Sequence, residues 1–351
     1  MKKKLHILAA LVISSAFTSF SQTYVTQVKP GGSKTWGYAN QKGELIIPAQ
    51  YAKCYKFSPE GLAAIYDQEE KQYHFINTKG ERLTTDAKSY KLRDGMGFDV
   101  EGFMDGMALI RQGEKWGFMD ATGKQAIPAK YEDANDFVGG FAAVKSGTSF
   151  FIINIKGVET AVDGSNIADI KGFTEGLAPY KTLDKKTGFI GTDGKVAIPA
   201  QYESVGYFEN GLAWAKETGG TLGYINMKGE WVIKPQFTAG KNFDKESGLA
   251  RVKVGEKWAY VNKAGEVMNV TVADALGDFS EGLADGKKGE KKGFYNSKGE
   301  WVIQPQFQDT RDFKNGFAAA KTGDKWGMIN KKGDWVIQPI FDGIKDMEAV
   351  N

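Results

Sequence analysis

The side chains that most enzymes rely on are scarce or scattered here. The sequence holds two histidines and one cysteine. His6 falls in an apolar leader, so only His74 remains, and a histidine-based triad or zinc site has almost no material. Cys54 has no partner for an intramolecular disulfide and reads as a small core residue. Carboxylates are plentiful, but most stand in turns beside lysine. Glu60, Glu175 and Glu281 each precede a glycine and are expected to serve the turn. Glu132, Asp133 and Asp136 crowd one stretch without a calcium-loop pattern, so a solvated face is expected there rather than a metal site. No Gly-x-Ser-x-Gly, Walker or Rossmann pattern occurs. The expectation is a protein with no catalytic residue, no cofactor and no metal.

The most distinctive spacing belongs to tryptophan. Trp231, Trp301 and Trp335 stand two places after a turn glycine, where other segments carry Leu45, Arg82, Gln125 or Val196. A position that accepts Arg and Gln is expected to be partly exposed. The three rings are a candidate ligand platform for sugar rings or peptide side chains; packing against neighbouring strands is the competing reading. Trp36, Trp116, Trp258 and Trp326 hold a fixed motif position and read as core.

The elements that position these residues are repeated. Phe313 to Phe341 reads FKNGFAAAKTGDKWGMINKKGDWVIQPIF, and the same pattern recurs about nine times between Gln22 and Asn351. One glycine ladder runs through Gly43, Gly80, Gly123, Gly157, Gly194, Gly229, Gly265, Gly299 and Gly333, at intervals of 34 to 43 residues. Asn or Asp stands three places earlier in all but one case, Gly191. That pattern predicts a type I turn capped by the Asn side chain, with Gly in the left-handed position. A second ladder, Gly61, Gly106, Gly140, Gly176, Gly211, Gly248, Gly282 and Gly316, follows an aromatic residue by a few places. Fixed-period self-similarity marks a repeat architecture.

Short loops join antiparallel neighbours, so each unit of about 35 residues is expected to be a three-stranded meander. Both faces of its strands carry apolar residues, which requires sheets stacked face to face. The expected fold is all-β, a superhelical solenoid of such units, with a closed β-propeller-like ring as the alternative. Units two, four and seven depart from the pattern, and Asp86 to Gly102 is a polar insertion with Arg93, Asp94, Asp99 and Glu101. Phe341 to Asn351 reads as a further linker that begins and stops.

Residues 1–21 read as a secretory signal peptide: Lys2 to Lys4, an apolar run from Leu5 to Phe17, then Ser19 and Ser21 before a cleavage site. Residues 22–351 form one array. Formal net charge is +3 with the three leader lysines included, so the mature chain is near neutral and has no nucleic-acid footprint. No later stretch is long and apolar enough to span a bilayer as a helix. An exported protein is expected, whether periplasmic, cell-surface or secreted.

The Lys-Trp-Gly-Phe/Tyr strand, the Asn-x-x-Gly turn, the Ile-Pro-x-Tyr/Phe exit and the Phe-x-x-Gly-Leu-Ala return together resemble the WG (KWG) repeat family of bacterial proteins. The resemblance covers nearly all of Lys34 to Phe341, and units one, three, six, eight and nine carry it best. It implies an exported or envelope-associated β-repeat protein and brings no catalytic residues. The functional expectation is a non-enzymatic scaffold binding a protein or glycan of the cell envelope over an extended surface. A polysaccharide-active hydrolase or lyase and a purely structural envelope component are the alternatives.

Overall fold

The computed structural model describes residues 22–94, 100–164 and 166–350, and the expected signal peptide lies outside them. Among the described residues there is no helix; the chain is a succession of small antiparallel sheets. Among these residues, then, no helix is long and apolar enough to cross a membrane.

The meander is present, with one strand more than expected. Six sheets have four strands, one has three and one has seven. The extra strand, here called the inner strand, lies at one edge of its sheet, opposite the outer strand that carries the Ile-Pro exit, and is built from the segment between that exit and the aromatic residue: Lys53–Phe57, Asp133–Ala134, Ser204–Val205 and their equivalents. Several are only two residues long. They escape a pattern search because a two-residue strand has no alternation to detect.

Two features hold the repeat. Asn40 Oδ1 accepts from the backbone N–H groups of Lys42 and Glu44, and its Nδ2 donates to the Glu44 carboxylate. The same arrangement recurs at Asn77, Asn226, Asn262, Asn296 and Asn330. Gly43 then takes φ +81°. Between sheets, an aromatic residue of the motif strand meets the aromatic that lies in or just after the short edge strand of the following unit. Tyr38–Phe57, Phe118–Phe137, Phe189–Phe208, Tyr260–Phe279 and Phe294–Phe313 all lie 4.7 Å apart, centroid to centroid. Each such pair contributes about 0.5–1.5 kcal/mol beyond its buried area, so the core is a chain of small clusters shared by neighbours.

The seven-stranded sheet joins the two ends of the chain. Trp335–Val350 is one strand of 16 residues. Its first half pairs with Lys325–Asn330. Its second half pairs antiparallel with Thr23–Pro30, from Pro30↔Phe341 to Thr23↔Val350. The segment that reads as an interrupted linker is therefore the inner strand beside the first unit.

The described residues of the insertion, 86–94 and 100–102, pack on the three-stranded sheet. Ala87, Tyr90, Leu92 and Val100 are buried in its cluster. Arg93 donates to Asp133 at 2.7 Å and to the Ala134 carbonyl at 2.6 Å. Asp99 lies outside the described residues.

Candidate functional site

Where the two ends of the chain meet, Cys54 to Lys56, Thr310 to Lys314, and Lys345, Asp346 and Glu348 wall a cavity of about 750 Å³, with Asp285 and Lys292 also in its lining. Its lining carries charges of both signs, and most are matched. Lys56 pairs with Glu101, Lys292 with Asp285 at 3.1 Å, and Lys314 with Glu348 at 2.7 Å. Arg311 lies over the Trp326 ring, 5.5 Å from its centroid. Asp312, Asp346 and Lys345 also line the cavity and make no ion pair among the described residues. Burial, together with Asp285, Asp278 and Asp346, pushes the Asp312 carboxyl up to about 6, against the pull of Arg251. Residues from 27 to 348 meet here, which no local sequence signal foretells; the one trace is that Arg311-Asp312 recurs as Lys345-Asp346.

Tryptophans 231, 301 and 335 are half-buried on three separate outer strands, and the fold does not bring them together. Each sits edge-to-face against another ring: Trp231 on Tyr202 at 5.6 Å, Trp301 on Tyr295 at 5.4 Å and Trp335 on Phe307 at 5.6 Å. The motif tryptophans are not the core residues expected. Trp36, Trp116 and Trp326 are half-buried and Trp258 is 39% exposed. They stand at the start of the strand, and over three of the rings lies an arginine: Arg93 over Trp116 at 4.7 Å, Arg251 over Trp258 at 4.6 Å and Arg311 over Trp326 at 5.5 Å.

Why the motif glycine follows the tryptophan is clear from the third strand. Opposite Gly117, Ile127 and Tyr131 pair with Phe118 and Trp116, so three residues bulge across one. A β-carbon on Gly117 would lie 2.6 Å from the Ile127 carbonyl and the Ala129 nitrogen. The Ile-Pro exit supplies that bulge, since proline suits a place where the ladder is interrupted.

The remaining chemical candidates are occupied. Asp67, Glu70 and His74 gather within 4.8 Å of one another, but Arg82 pairs with both carboxylates and His74 Nε2 bonds Glu70 at 2.8 Å. Glu132, Asp133 and Asp136 diverge. Glu132 pairs with Lys115 and accepts from the Gly147 N–H, Asp133 pairs with Arg93, and Asp136 turns inward, where burial raises its carboxyl. Burial pushes the Cys54 thiol up to about 11.

The model for the WG containing repeat matches residues 36–69, 116–147, 188–220, 223–258, 293–326 and 326–348, more than half of the chain. No curated protein matches. Among solved structures, the chain is similar to a crystal structure described as the eukaryotic initiation factor, at 12% identity and TM-score 0.60, covering 93% of this chain and 98% of that one. It is also similar to the computationally designed Ika8 protein, at 11% identity and TM-score 0.45, covering 80% and 93%. A third is apo AztD from Citrobacter koseri, at 9% identity and TM-score 0.43, covering 93% and 98%. At these identities the first likeness speaks for the fold alone. With the repeat model on six segments, and the turn, bulge and aromatic pair it encodes all in place, the chain belongs to the family of WG-containing repeat proteins.

Proposed function

We propose that the array closes into a ring of nine repeat units, the first and last sharing the seven-stranded sheet, and that this ring is an exported, non-enzymatic scaffold binding a protein or glycan partner over its outer surface. The observation that carries closure is the pairing of Thr23–Pro30 with the second half of Trp335–Val350. A strand from each end of the chain in one sheet leaves no free terminal face to be capped, and a rigid closed array presents a broad surface at low ordering cost. The non-enzymatic reading is supported by the engagement of Asp67, Glu70, Glu132, Asp133 and His74, the single imidazole of the mature chain, in ion pairs. Export rests on the leader at residues 1–21. The half-exposed rings of Trp231, Trp301 and Trp335 are the proposed contacts.

Closure is tested by placing cysteines at Thr23 and Val350, which face each other across the terminal pair. A monomeric disulfide should form on oxidation and raise the unfolding free energy by up to about 6 kcal/mol for a loop of this size; oxidation yielding only dimers rejects the ring. Binding is tested by retention of residues 22–351 on insoluble polysaccharides, peptidoglycan and immobilised envelope proteins, beside a folded Trp231→Ala/Trp301→Ala/Trp335→Ala variant. Retention lost in the variant supports the scaffold. Absence of retention on every matrix rejects it.

A further inference from the structure

Most charged groups of the cavity are paired within the protein; four are not used that way. Asp312 and Asp346 make no hydrogen bond or ion pair through their side chains among the described residues, Lys345 makes none, and Arg311 has only the Trp326 ring. These four are two copies of one feature. Arg311-Asp312 and Lys345-Asp346 occupy the same two places before Phe313 and Met347, 34 residues apart. Other units carry Tyr55-Lys56, Asn135-Asp136, Lys171-Gly172, Gly206-Tyr207, Lys241-Asn242 or Gly277-Asp278 there. Of the units that line the cavity, only these two set a basic residue directly before an acidic one; Tyr55-Lys56, which also lines it, does not.

We propose that this cavity binds a small zwitterion, a free amino acid or short peptide, with its ammonium group at Asp312 and Asp346 and its carboxylate at Arg311 and Lys345. A ligand of one sign would satisfy one pair and bring like charge toward the other, whereas a zwitterion matches both. The volume of about 750 Å³ lies within the range of small-molecule sites and exceeds what a single amino acid fills. The raised carboxyl of Asp312 accords with burial and with Asp285, Asp278 and Asp346 outweighing the pull of Arg251, which is already bound to Asp278. The site is separate from the outer tryptophans, so it stands or falls independently of the macromolecular partner.

The test is saturation-transfer NMR on residues 22–351 with free amino acids and Ala-Xaa dipeptides as probes, followed by titration of the best binder, its N-acetyl form and its C-terminal amide. The free zwitterion should bind, and each capped form should bind at least about tenfold more weakly. Asp312→Asn/Asp346→Asn should abolish the preference for a free amine, and Arg311→Met/Lys345→Met the preference for a free carboxylate, with circular dichroism showing both folded. Capped and free forms binding alike, or no probe binding at about 10 mM, overturns the proposal.

Discussion

The carboxylate of Glu175 caps the turn of the next unit: Oε1 accepts from the Asn210 N–H at 2.8 Å and Oε2 from the Gly211 N–H at 2.9 Å. Glu175 and Gly176 both have positive φ, +48° and +79°, which is the two-residue hairpin that suits strand twist. The relation recurs where Glu281 accepts from the Gly316 N–H at 2.9 Å and Asp105 from the Gly140 N–H at 2.7 Å. An acidic residue in one turn therefore satisfies the orphan donors of the next. Glu175→Ala keeps the strained backbone and removes only the acceptor. It should cost about 1 kcal/mol in urea unfolding, and no change in midpoint would show that water serves those N–H groups equally well.

The motif glycine and the Ile-Pro bulge are one structural unit. At Gly223 a β-carbon would sit 2.2 Å from the Ile233 carbonyl. Gly223→Ala must push the bulge away and should cost about 2–3 kcal/mol. Ala259 holds the equivalent place in unit seven, where the third strand is the short Val267–Met268 and no bulge crosses it. Ala259→Gly should therefore cost no more than about 1 kcal/mol, the ordinary penalty of glycine in a strand. Equal effects at the two sites in thermal unfolding would refute the coupling.

That coupling was open to a reader of the sequence. Units two, four and seven, with His74, Phe151 and Ala259 in place of the glycine, are the ones that also lack the proline exit. The turns were legible because Asn and Gly act locally at Asn40 and Gly43. The innermost strands were not: Ala239-Gly240 has neither length nor alternation and becomes a strand only through its neighbour at Val252 and Lys253. The terminal pairing joins residues more than 300 places apart, such as Val25 and Glu348, and depends on where the whole array ends rather than on any motif. The cavity inherits that illegibility, since it lies where the two ends meet.

Cys54 offers a probe of that meeting place. Its thiol is raised to about 11, first by burial, and the Gln27 side chain of the first strand donates to its carbonyl at 2.6 Å. The thiolate is the reactive form, so native protein at neutral pH should react with a disulfide reagent about 100-fold more slowly than free cysteine. In denaturant it should react at the free rate. A native rate equal to the free one would mean that the first strand does not cover Cys54 in solution.

Asp312 should make stability depend on pH in the sense opposite to a salt-bridged aspartate. Its folded carboxyl titrates near 6, above its ordinary value of 3.8. The folded state thus holds this proton more tightly, and its contribution is complete below about pH 4 and lost as pH rises through 6. Asp309 has the reverse sign, because its carboxyl is lowered despite burial by the Lys292 ammonium and the Thr310 N–H; its contribution is present at neutral pH and lost in acid. Asp312→Asn removes the charge that Asp278, Asp285 and Asp346 oppose. The variant should match the parent near pH 4 and exceed it at pH 7.5 by about 1 kcal/mol, a modest figure because the cavity is open to solvent. Melting temperatures of both proteins across this range decide the matter. A variant less stable at every pH would show that Asp312 is held by a favourable contact instead of repelled by its neighbours.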